Sequence, residues 1–83
     1  MADKEKSELV DRSAELLDAL RRLKETEKRK RREPISSESF HRLANEVDAI
    51  SHEVFSIARD ERSIGNRTTR STETIEDLEE KRA

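Results

Sequence analysis

From Phe40 to Ile64 the apolar residues fall at Phe40, Leu43, Val47, Ile50, Val54 and Ile57, with Glu61 in the next slot and Ile64 closing the run. Their steps alternate between three and four, which is the spacing that puts side chains on one face of a helix. The same rhythm appears earlier, at Leu9, Ser13, Leu16, Leu20 and Leu23, with Val10 and Leu17 widening the stripe to one side. Past Leu23 the apolar residues stop, although good helix formers continue to Arg32. The pattern predicts two helices, at about residues 5–32 and 37–64, each roughly 40 Å long at 1.5 Å per residue.

Between them stands "EPISSES". Pro34 has no backbone N–H and pushes Glu33 out of helical geometry. Ser36 reads as the N-cap of the second helix, Glu38 suits its positive first turn, and Ile35 with Phe40 would form a hydrophobic staple. Gly65, the only glycine, follows the last periodic position, where a left-handed helix stop is expected. Two matched helices and a short turn predict an antiparallel hairpin.

The expected fold class is therefore all-α: a coiled-coil-like two-helix hairpin over residues 1–66. Residues 67–83 read as a flexible acidic tail. Within that tail, Thr74 and Asp77 have the spacing to cap a short helix bearing Ile75 and Leu78. Two apolar residues do not hold a helix in water by themselves.

Folding the hairpin about Pro34 leaves a mismatch. Lys24 to Arg32 would lie opposite Phe40 and Leu43, Phe55 falls outside the seam, and Ile64 is left uncovered with them. Four apolar side chains would stay wet, although burying each is worth about 1.5–3 kcal/mol. Ala44, Ser51 and Ala58 form a small-residue row beside them that admits another helix. The expectation is a homodimer, two hairpins making a four-helix bundle, with Phe40, Leu43, Val47, Val54, Phe55 and Ile64 at the dimer or partner interface.

Composition sharpens this picture. Of 83 residues, 46% are charged and only two are aromatic, so a conventional globular core is hard to build. Periodicity is what separates the chain from a disordered one of similar content. Residues 1–33 carry 11 basic and 9 acidic groups, residues 34–66 carry 3 and 6, and residues 67–83 carry 4 and 5. These opposite balances slightly favour the first two segments lying together. The absence of cysteine removes disulfides, Cys-based zinc sites and thiol chemistry. No apolar run approaches the length of a signal region or a membrane span, which makes the cytoplasm the default compartment.

Little chemistry is on offer. His41 and His52 are eleven residues apart, about 16 Å along a helix, too far to share a metal. The acids are scattered among Arg and Lys without a calcium-loop spacing. No nucleophile, base and acid grouping can be assembled, and no cofactor motif is present. The expectation is a protein that is not an enzyme and holds neither metal nor cofactor. Lys28, Arg29, Lys30, Arg31 and Arg32 form a candidate grip on nucleic-acid phosphates, without aromatics for stacking. The leading expectation is a small interaction module, a regulator that self-associates and sequesters or bridges a partner protein. A nucleic-acid accessory protein and a structural assembly subunit are the alternatives.

Overall fold

A computed structural model of the chain describes residues 2–68 and 70–82; Met1, Thr69 and Ala83 lie outside the described residues. The architecture is all-α. Helix α1 spans Ala2–Arg31, α2 spans Glu38–Arg67 and a short α3 spans Ile75–Arg82. α1 and α2 pack antiparallel along their length, giving a rod 51 Å long. Among the described residues α3 packs on α1 and on no other helix.

The stripe of α2 faces α1 as its spacing predicts. Leu43, Ile57 and Ile64 are buried, and Phe40, Val47, Ile50, Val54 and Glu61 are half-buried along the same line. On α1 the line differs from the expected one. It runs through Leu9, Arg12, Leu16, Ala19, Leu23, Thr26 and Lys30, all buried or half-buried, again in steps of three and four. Ala19 is wholly buried, whereas Leu20 is 42% exposed. A methyl group at position 19 lets the two backbones approach, and the larger Leu20 is displaced to the flank.

The stripe of α1 therefore does not stop at Leu23. Thr26 is buried because its hydroxyl donates to the Arg22 carbonyl at 2.8 Å, so no polar group is stranded. Lys30 follows it, with Nζ 5.6 Å from the centre of the Phe40 ring and 2.9 Å from Glu27. Glu27 thus pairs with Lys30. The aliphatic stems of such residues lie on apolar surface while their charges reach water.

That corrects the expected mismatch. Leu43 and Ile64 are covered within the single chain, and Phe40 is half-covered. α1 begins early enough to stand beside the end of α2, and Ile64 shares a shallow groove with Glu8 and Arg12. Only Phe55 of the four surplus residues is open, at 65% exposure. The seam keeps one polar interruption, where Arg12 Nε and Glu61 Oε1 are buried without a hydrogen-bond partner among the described residues.

Both ends of α2 differ from expectation, by one residue at the start and by three at the close. Ser37, not Ser36, is the N-cap, and its hydroxyl accepts the Phe40 N–H at 3.0 Å. The same hydroxyl donates to the Pro34 carbonyl at 2.7 Å, tying the cap to the turn. This moves Phe40 to the third helical position and leaves Ile35 77% exposed, so no staple forms between them. At the other end the helix continues through Gly65, whose φ is not positive, and closes at Thr68. Thr68 donates its N–H to the Gly65 carbonyl at 3.1 Å, and Arg67 in the last turn lies 3.9 Å from Glu8. Glycine permits a left-handed stop without requiring one, and burial of Ile64 with the Arg67–Glu8 approach favours another turn of helix.

Residues 67–83, expected as a flexible tail, carry the end of α2, a short connection and α3. Thr74 and Asp77 cap α3 reciprocally: the Asp77 N–H donates to the Thr74 hydroxyl and the Thr74 N–H to the Asp77 carboxylate, both at 3.1 Å. Packing on α1 supplies the burial that Ile75 and Leu78 lack alone, and Leu78 is buried there. Among the described residues no helix is long and apolar enough to cross a membrane.

Candidate interaction surface

The hairpin has two sides, and they differ in chemistry. On one side the helices are joined by charge. Arg22 reaches Glu53 across the groove at 2.6 Å and is braced on its own helix by Asp18 at 3.1 Å. Asp18 also accepts from Arg21 at 2.8 Å, and the two guanidiniums hold its carboxyl below the usual range, Arg21 contributing most. Glu53, then Asp18, hold Arg22 more firmly protonated. Near the far end of the same side, Glu8 and Arg67 approach across the groove. In an antiparallel pair both side chains lean toward their own N-termini and so toward each other, which lets such cross-helix pairs form.

The other side is bare. With 3.6 residues per turn, Leu17 and Leu20 project from the flank of α1 away from Arg22 and Thr26. Phe55, with Ala44, Ser51 and Ala58, projects from the matching flank of α2. Leu17 is 64% exposed, close to the value for Phe55. The Phe55 ring lies 5.2 Å below the Arg59 guanidinium, and Ala58, Arg59 and Arg62 line the shallow hollow beside it. Leu17, Leu20 and Phe55 thus make this flank the more apolar of the two.

α3 borders this open side. Val10 stands about 100° round α1 from Leu9 of the seam and is buried, and among the described residues α3 is the only helix besides α2 that packs on α1. Glu73, just before α3, accepts from both Lys6 and Lys81. These two ammonium groups, Lys6 first, hold its carboxyl at about 2, against an ordinary 4.5.

Of the six expected interface residues, the structure leaves only Phe55 open. Leu43 and Ile64 are buried in the seam, and Phe40, Val47 and Val54 are half-buried along it. Leu17 and Leu20 take their place on the open side. The signal for Leu17 was its position beside the stripe; for Leu20 the sequence alone pointed into the seam. The basic run is split. Lys28, Arg29, Arg31 and Arg32 are exposed and without an ion pair among the described residues, while Lys30 is held by Glu27 and Phe40.

His41 and His52 are both exposed on α2, and His52 lies 3.7 Å from Asp48. Among the described residues no group of three or more His, Asp or Glu side chains is placed to hold a metal ion. Comparison with protein-family models, with curated proteins and with solved structures finds no match for this chain.

Proposed function

We propose that the chain is a helical protein–protein interaction module that pairs with a second copy through the open side of its hairpin, forming a four-helix bundle that holds or bridges a partner protein. The observation that carries this reading is the exposure of Leu17, Leu20 and Phe55 on one side of a chain otherwise sparing with large apolar residues. Two hairpins laid face to face cover all three, with Ala44, Ser51 and Ala58 allowing close approach. No catalytic step belongs to this reading.

Light scattering of the full chain at micromolar concentration tests it. The expected mass is twice 9.7 kDa. Leu17→Ser combined with Phe55→Ser is expected to give a monomer that keeps its helical circular dichroism. A wild-type chain that stays monomeric at high concentration would sink the reading.

A second reading, a nucleic-acid accessory protein, is favoured by one observation: four cations within residues 28–32 are exposed without an ion pair among the described residues. Phosphate contacts of this kind give steep salt dependence. Arg29, Arg31 and Arg32 all changed to Glu would then abolish binding of duplex DNA by an otherwise folded chain.

A further inference from the structure

We infer that the two copies pair antiparallel, because the open side of the hairpin is charge-complementary to itself when reversed; this rests on the self-association proposed above. Three zones follow one another along that side of α1. At the bottom lies α3, whose Glu76, Asp77, Glu79 and Glu80 are exposed. In the middle are Leu17 and Leu20. At the top Lys24, Lys28 and Arg31, on the same flank of the helix, are exposed and without an ion pair among the described residues.

The zones are evenly spaced. α3 is anchored at the level of Lys6 and Val10, and the basic trio centres between Lys24 and Arg31. Each lies about 15 Å from the Leu17–Leu20 pair at 1.5 Å per residue. A second copy turned end for end about an axis through that pair lays α1 on α1 and α2 on α2. It then sets acidic α3 of each copy against the basic flank of the other, twice by symmetry. A parallel pair, turned about the long axis, instead lays α1 on α2 and gathers both basic zones at one end and both acidic α3 helices at the other, which disfavours it. The two oppositely charged zones are what select the orientation; the apolar middle alone does not.

Three variants of the full chain and one label test this. The first reverses the basic zone (Lys24→Glu, Lys28→Glu, Arg31→Glu). The second reverses the acidic zone (Glu76→Lys, Glu79→Lys, Glu80→Lys), leaving the Asp77 cap intact. The third carries all six changes. Sedimentation equilibrium at low salt is expected to show dimerisation weakened on the order of tenfold or more in the first two and restored in the third. Added salt should shrink those differences. Because the two zones lie roughly 30 Å apart within one chain, restoration reports contact between copies.

The label needs no charge change. The chain has no cysteine, so Ile35→Cys at the exposed turn takes a single spin label. Antiparallel copies put the two labels about 50 Å apart, 25 Å to either side of the axis. A dimer with a short label separation, or one indifferent to the charge reversals, overturns the orientation and leaves self-association standing. A monomer overturns both.

Discussion

On one side of the hairpin Arg22 crosses to Glu53 and Arg67 approaches Glu8; on the other, Leu17, Leu20 and Phe55 stand open beside small residues. Both sides border the same seam, so the difference does not come from the packing between the helices. It comes from which residues flank the stripe. Long charged side chains can satisfy one another within a single chain, and there they bridge the groove. Leucine and phenylalanine have no such recourse at 64% and 65% exposure, and there the hairpin is unfinished. The charged side ties the two helices of one chain together; the apolar side is the face proposed above for pairing with a second copy.

Substitutions can sharpen or break that contrast, beginning with the seam that both sides share. Ile57→Ala removes a buried side chain and is expected to cost about 2–5 kcal/mol in denaturant unfolding. Phe55→Ala, measured at concentrations where the chain is monomeric, should cost far less. Equal costs would mean that Phe55 belongs to the core and that the open side is not open.

Next in size is the exchange at positions 19 and 20. Ala19→Leu forces a larger group into a wholly buried site and should cost about 1–3 kcal/mol. Leu20→Ala should hardly alter monomer stability and should weaken the dimer. The reverse order of effects would return Leu20 to the seam.

The charged side is expected to contribute less. Arg22 and Glu53 are both near half exposed, and a double-mutant cycle with Arg22→Ala and Glu53→Ala should give a coupling of about 0.2–1 kcal/mol. A coupling well above that range would make the ion pair, and not the seam, the main tie between the helices.

The smallest effect concerns α3. Glu73 is ionised more readily in the folded chain than when unfolded, so its contribution is fully present above the ordinary carboxylate value near 4.5. It should fade as the pH falls toward about 2 and be absent below. Unfolding followed against pH should show this loss in the parent and a smaller one in Glu73→Gln. Parent and variant with the same acid dependence would show that the Lys6 and Lys81 contacts do not secure the α3 end.

Much of this was legible in the spacing. The stripe from Phe40 to Ile64 predicted the buried face of α2, because eight positions in strict alternation leave one face to choose. The Thr74–Asp77 cap was readable too, since its chemistry is local. α1 was harder. Val10, Leu16, Leu17, Leu20 and Leu23 are apolar on a wide arc, and the choice of Ala19 over Leu20 for the deepest site depends on how closely the partner helix approaches. Thr26 and Lys30 were missed because apolar counting ignores a hydroxyl satisfied by its own helix and a methylene stem beneath a charge. The open side differs from expectation for a related reason: the burial of Leu43 and Ile64 within one hairpin is a tertiary fact. Docking of α3 was out of reach, because its two apolar residues carry no address.

The tie between Lys6 and Glu73 joins residues 67 apart in the chain. α1 and α2 are neighbours in sequence, and a hairpin of that kind zips from its turn as soon as both arms exist, each new pair only slightly further apart than the last. The Lys6 end cannot settle on that schedule. During synthesis its turns must wait until the chain has been extended through Glu73, and in the finished protein they remain the part closed by the longest loop. Amide exchange should show it: the turns around Lys6 and Val10 should open together with α3, as one cooperative unit separate from the turn end. In this rod the expected kinetic lag belongs to the end that is clasped, and the free tip around Pro34 is where folding is expected to begin.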